Sequence, residues 1–166
     1  MPTDKEPGAQ ARSHVDRRMD EVVHDPYRSQ SKPAEPAVCP TCGLIYHAGR
    51  WQRLPLPAKA HHHSCPACLR IRDDMPAGIV TLGGTFAIEH ADEILNLVRN
   101  EEARESAEHP LQRIIAVNRE DDRTVITTTD VHLARRIGDA VAGAFGGKLQ
   151  FNFGAGEYLI RINWTR

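Results

Sequence analysis

Four cysteines fall into two near-copies of one short turn, Cys39-Pro40-Thr41-Cys42-Gly43 and Cys65-Pro66-Ala67-Cys68, and together give the spacing C-x2-C-x22-C-x2-C. Each C-x2-C turn presents two sulfurs to one point and directs backbone N–H groups toward them. Two such turns supply the four thiolates that tetrahedral zinc takes. A site closed by four sulfurs has no open position for water or substrate. The expected ion is therefore a structural Zn2+, one per chain, held by Cys39, Cys42, Cys65 and Cys68. Other uses of the thiols match less well, because a redox dithiol needs one such motif rather than two facing each other. His61, His62 and His63 precede the second pair and any could substitute as a ligand, but four cysteines leave no position for them.

The stretch from Cys39 to Arg72 also contains Arg50, Arg53, Lys59, Arg70, Arg72 and several histidines, with no Asp or Glu. Two readings fit these letters. Zinc with four thiolates carries about two formal negative charges, which nearby cations would balance. Alternatively Arg50, Trp51, Arg53 and Arg70 form a surface that tracks phosphates and stacks bases of RNA, with Tyr46 beside Trp51 as a second aromatic.

Candidates for catalysis are sparser. Glu101, Glu105 and His109 stand at i, i+4 and i+8, so a helix would set two carboxylates and an imidazole along one face, as general acid–base or metal chemistry requires. A solvated face laced with Arg99 and Arg104 explains the same residues. Glu89, His90, Asp92 and Glu93 read as the acidic start of a helix, and Asp130 with His132 as a cap and first turn. There is no nucleophile elbow, and Gly146-Gly147-Lys148 lacks the earlier glycine and the following Ser or Thr of a phosphate loop. The expectation is a protein that is not an enzyme.

The elements that must position these residues follow from composition and pattern. With 166 residues, 26% charged and 40% hydrophobic, and a formal net charge of -1, the chain is an ordinary globular one. No apolar run approaches the roughly 18 residues of a membrane helix, and the polar start Met1-Pro2-Thr3-Asp4-Lys5 lacks a signal-peptide core. A cytoplasmic protein with no membrane contact is expected, in a compartment where thiols stay reduced. Residues 1–36 mix charges with prolines and read as a disordered or loosely attached arm, with a short helix possible over Asp16 to His24. Residues 37–76 read as the zinc ribbon, in which Gly43 permits a positive φ and Leu44, Ile45, Tyr46 and Trp51 cover the ion.

Residues 77–166 read as an α+β domain. Ile79, Val80, Leu82, Phe86 and Ile88 around Gly83-Gly84 predict a strand with a bulge or a tight hairpin. Ala91, Ile94, Leu95 and Val98 recur at helical spacing, and His109-Pro110 stops that helix. The β-branched runs 113–117 and 124–129 predict a hairpin about Asp121-Asp122. A helix capped by Asp130 and stopped at Gly146-Gly147 follows, and then strands over 149–153 and 158–164. The fold class expected is α+β: a four-cysteine zinc ribbon or knuckle, then a small mixed or antiparallel sheet with two helices on one face.

The Cys-Pro-x-Cys pairs, the glycine-broken strand and helix, the Leu133-Ala134-Arg135-Arg136-Ile137 helix and the run Tyr158-Leu159-Ile160-Arg161-Ile162 together resemble the N-terminal zinc and α+β portion of the archaeal and eukaryotic nonsense-mediated-decay-three family, over residues 38–164. Eukaryotic members of that family are export adaptors of the large ribosomal subunit. The chain is also similar to a group of short bacterial proteins that share Cys-Pro-x-Cys-Gly, Gly49-Arg50-Trp51 and Glu108-His109-Pro110. The resemblance implies a zinc-binding, non-enzymatic adaptor that touches RNA or the ribosome. Only Cys39, Cys42, Cys65 and Cys68 carry over as ligands, and the RNA-facing residues do not. Two rivals stand beside it: a protein–protein adaptor without nucleic acid, presenting Leu54, Leu56 and Phe86, and a metal-dependent hydrolase built on Glu101, Glu105 and His109.

Overall fold

A computed structural model describes residues 25–28 and 32–166. Most of the expected N-terminal arm, including the possible helix over Asp16 to His24, lies outside the described residues.

The ribbon is a small sheet in the order β3-β2-β1-β4, built from β1 (Ala37–Val38), β2 (Ile45–His47), β3 (Arg50–Gln52) and β4 (His61–His62). Strands β1, β2 and β3 pair antiparallel, whereas β4 joins β1 in parallel. The β2–β3 hairpin closes on Ala48-Gly49, both at positive φ (51° and 77°), which suits the right-handed twist of the flanking strands. Alanine pays about 1–2 kcal/mol to sit there. The Glu35 carboxylate offsets part of that cost by accepting from the N–H groups of Ala48 and Gly49, each at 3.0 Å.

A helix absent from the sequence reading follows the second cysteine turn: α1 (Pro66–Asp73). Cys65 is its N-cap, Pro66 occupies the first turn, where no N–H partner is needed, and Asp74 ends it at φ 48°.

The second layer pair is a five-stranded sheet, β6-β7-β5-β9-β8, made from β5 (Gly78–Gly83), β6 (Ile114–Arg119), β7 (Arg123–Thr128), β8 (Lys148–Phe153) and β9 (Ile160–Thr165). Every neighbouring pair is antiparallel except β5 with β9, so the sheet is mixed. Burial alternates along β9, with Ile160, Ile162 and Trp164 inside and Arg161, Asn163 and Thr165 outside, as expected of a sheet covered on one face. The covering elements are α3 (Ala91–Glu108) and α4 (Val131–Phe145). Ile94, Leu95 and Val98 from α3 meet Leu133, Ala134, Ile137 and Val141 from α4 over Val80, Leu82 and Ile126 of the sheet. The α+β class and the mixed sheet agree with the sequence reading. Within the sheet domain one element differs: Gly83-Gly84 is neither a bulge nor a hairpin but the junction between β5 and a short helix, α2 (Thr85–Glu89), which takes Phe86 and Ile88 out of the strand. No helix among the described residues is long and apolar enough to cross a membrane.

Helix and sheet approach closely at Gly78, where an added Cβ would stand 2.3 Å from the Ala134 Cβ and 2.5 Å from the Thr128 hydroxyl. Gly143, on the outer side of α4, has nothing within 4 Å of that position. Gly78→Ala is therefore expected to destabilise the fold by about 1–3 kcal/mol through overpacking. Gly143→Ala is expected to stabilise it by about 0.5–1 kcal/mol. Urea unfolding midpoints of the two variants, on opposite sides of the parent, check both signs.

Candidate metal centre

Strands β1 and β4 run side by side and deliver the first cysteine of each turn to the same end of the ribbon. Beyond the paired residues the parallel ladder continues, with the His63 N–H donating to the Val38 carbonyl at 3.1 Å. In the first turn the Gly43 N–H donates to the Cys39 carbonyl at 2.9 Å and the Cys39 N–H to the Leu44 carbonyl at 2.8 Å. Gly43 has φ 76°, the positive angle its position requires. In the second turn the Cys65 sulfur caps α1 by accepting from the Cys68 N–H at 3.5 Å. The two turns are cross-linked as well, because the Cys65 N–H donates to the Cys39 sulfur at 3.3 Å.

The result is that the sulfurs of Cys39, Cys42, Cys65 and Cys68 all lie within 4.8 Å of one another. None is in a disulfide, and all but Cys42 are buried. A tetrahedral ion with metal–sulfur bonds of about 2.3 Å places its ligands about 3.8 Å apart. The Cys42 and Cys65 sulfurs are 3.7 Å apart, which fits that edge. Leu44, Ala67, Trp51 and Leu111 pack around the buried cysteines. Among the described residues no other group of three or more Cys, His, Asp or Glu side chains is gathered in this way. His61, His62 and His63 are exposed and take no part in the cluster.

Electrostatics at the site pull the thiols in opposite directions. Burial opposes ionisation of Cys39, yet backbone N–H groups of Cys65, Cys42 and Thr41 outweigh it and bring this thiol down to about 6. Burial pushes the Cys65 thiol far up, and negative charge on Cys42 and Cys39 adds to the effect. Cys68 is also raised by burial, in spite of a hydrogen bond from Arg113. One sulfur thus ionises readily while two neighbours resist adding like charge, a conflict that a bound divalent ion removes.

Arg113 is the residue that sequence reasoning missed. Its Nη1 donates to the Cys68 sulfur at 3.4 Å, while its Nη2 donates to the Cys42 sulfur at 3.4 Å and reaches the Cys65 sulfur at 3.7 Å. Burial works against its charge, but the hydrogen bonds to Cys42 and Cys68 prevail and hold the guanidinium above its ordinary pKa. The residue lies forty-five positions from Cys68, just before β6, so spacing carries no trace of the contact.

The expected RNA-facing residues have diverse placements. Arg50 is exposed at the start of β3. Trp51 is half-buried, tilted against Tyr46 with centroids 5.3 Å apart and stacked on His63 at 6.3 Å. Arg53 donates through Nη1 to the Ser106 carbonyl at 2.6 Å, tying the ribbon to the last turn of α3. Arg70 is not at the surface: its side chain is 3% exposed, pairs with Asp25 at 2.6 Å and donates to the Met75 carbonyl at 2.8 Å. Its guanidinium also lies 4.5 Å from the Tyr27 ring, and this set of partners, rather than RNA, accounts for its charge.

The carboxylates considered for catalysis are engaged with arginines, Glu101 with Arg104 at 3.1 Å and Glu105 with Arg136 at 3.7 Å, while His109 is exposed. Leu54 and Leu56 are 40% and 70% exposed. Phe86, expected beside them, packs instead in the sheet domain against His90, Phe145 and Trp164.

Because Cys65 and Cys68 are held in the thiol form, an ion must displace their protons to bind, so affinity must rise with pH. Each displaced proton contributes about tenfold in affinity per pH unit. Chelator competition with Zn2+ between about pH 6 and pH 8 is expected to show a rise steeper than one proton gives. A flat profile would mean that the thiols are ionised already. No family model, curated protein or solved structure matches the chain, so the metal centre stands on its own donor set and geometry.

Proposed function

We propose that the chain is a non-enzymatic module whose ribbon is closed by one structural Zn2+, and that the outer surface of the ribbon docks on structured RNA, with ribosomal RNA the candidate the sequence resemblance favours. The observation that carries the metal half is the convergence of the four sulfurs, three of them buried. A closed set of four thiolates selects a thiophilic tetrahedral ion, and zinc is the common redox-inert one. The ion replaces a hydrophobic core that a segment of this size lacks.

Support for the RNA half comes from the exposed shell of the same ribbon. Arg50 and Lys59 are exposed, as are His47, His61, His62 and His63. The chain carries no carboxylate between Cys39 and Arg72. Glu35, just upstream, is occupied by the Ala48 and Gly49 N–H groups. A surface of this kind attracts phosphate through counterion release.

A second reading, a protein–protein adaptor, is favoured by Leu54 and Leu56, whose exposure on the β3–β4 connection gives a small apolar projection. The two readings separate on paired variants. Arg50→Ala with Lys59→Ala is expected to weaken binding of a structured ribosomal RNA fragment, and to lower the steepness with which affinity falls as salt is added by about one to two ions. Leu54→Ser with Leu56→Ser is expected to leave that binding intact. Electrophoretic or fluorescence titration at two salt concentrations reads both. An RNA affinity that ignores salt and the first pair rules the RNA reading out, and loss of a co-purifying protein in the second pair supports the adaptor.

A further inference from the structure

We infer that Arg113 is the positioning residue of the metal centre and that, through it, metal loading of the ribbon and docking of the ribbon on the five-stranded sheet are one coupled event. The inference rests on the reading of the cysteine cluster as a metal site and adds to it a residue from outside the ribbon.

The geometry is that of a fork. One arm of the guanidinium takes Cys68 at 3.4 Å, and the other takes Cys42 at 3.4 Å with Cys65 at 3.7 Å. Three of the four sulfurs are thereby touched by one planar cation, which a lysine ammonium on a flexible stem cannot reproduce. The fork is held from behind. Arg113 Nε donates to the Pro110 carbonyl at 2.9 Å, its backbone N–H donates to the Thr129 hydroxyl at 2.9 Å, and that hydroxyl donates to the Leu111 carbonyl at 2.6 Å. Thr129 is buried at the end of β7, and its own N–H donates to the Arg113 carbonyl at 2.9 Å. The sheet thus fixes the loop, the loop fixes the guanidinium, and Leu111 from the same loop packs on the cysteines.

Charge points the same way. A tetrathiolate with a divalent ion keeps about two negative charges, and thiolate hydrogen bonds to an ionised donor are strong when water is excluded. The ribbon's own arginines do not provide this. Arg70 is committed to Asp25, Arg72 to Asp73 at 2.7 Å and Arg53 to the Ser106 carbonyl. Removing the ion leaves the four sulfurs without the centre that fixes their positions against the Arg113 fork. Removing Arg113 leaves an anionic cluster half-buried without its counter-charge. Linkage requires the two effects to be reciprocal.

The test uses the full chain, with zinc affinity read by competition with a chromophoric chelator and loop order read by amide hydrogen exchange over residues 109–119. Arg113→Ala is expected to lose about 10–100-fold in zinc affinity, and Arg113→Lys to recover only part of it. In the parent, zinc removal is expected to speed exchange in that segment; in Arg113→Ala exchange is already fast, and zinc removal adds little. The thiolate-to-metal absorption of the Co2+ form is expected to shift in both variants. If Arg113→Ala does not fold, a folded Arg113→Lys with parental zinc affinity and an unshifted Co2+ spectrum overturns the inference. Parental affinity in Arg113→Ala, with an undiminished response of the loop to zinc, overturns it equally. A parent that binds no zinc would instead sink the metal reading on which it rests.

Discussion

Four sulfurs held within 4.8 Å of one another is the constraint that organises the N-terminal part of this molecule. Strands of two or three residues and a single short helix cannot bury enough surface to offset the entropy of ordering the chain. The apolar set around the cysteines is correspondingly thin, with Leu44 and Ala67 buried and Trp51 and Leu111 only partly so. What defines the ribbon is the meeting of two turns, arranged by the parallel pairing of β1 with β4 and by the start of α1 at Cys65. Each feature has a local cause, and all of them aim sulfur at one point.

The same point draws in the second half of the chain. The α3 helix ends at His109-Pro110, and the loop that follows supplies both Leu111 to the apolar cover and Arg113 to the sulfurs. Arg53 reaches in the opposite direction, from the ribbon to the end of α3. A division of the sequence at residue 76 therefore separates two sheets but not two independent sets of contacts. The sheet domain has an ample core of its own, from Val80 to Trp164, while the ribbon borrows support from it.

How much of this was legible depended on whether the governing interaction was local. The cysteine cluster was, because metal geometry fixes both residue type and spacing. So was α4, where the Asp130 carboxylate accepts from the His132 N–H at 2.7 Å and the chain turns at Gly146. The short α1 helix was not, since its cap is a cysteine already assigned to the metal and its eight residues carry little apolar pattern. Nor was α2: Ile79, Val80, Leu82, Phe86 and Ile88 on either side of Gly83-Gly84 read as a bulged strand or a tight hairpin. At the end of β5 the Arg166 carbonyl accepts from the Phe86 N–H at 3.0 Å and crowds the place a Cβ on Gly84 would take. Arg113 was invisible because it is placed from a distance, by Thr129 just after β7.

Arg70 shows why a count of charges misleads about surfaces. Five cations with no acid among them look like one patch, but residues outside the stretch engage three of them. Asp25 is forty-five residues away from Arg70, and together with Tyr27 it turns that guanidinium inward. Arg72 pairs with Asp73 at the end of α1, and Arg53 is spent on a helix carbonyl, leaving Arg50 and Lys59 exposed. The charge that balances the sulfurs comes from Arg113, outside the stretch altogether. The counter-charge expected of the basic cluster is thus supplied by a residue outside it. The counter-charge lies at the junction with the sheet, and the cations left exposed lie on the outer strand and the loop after it.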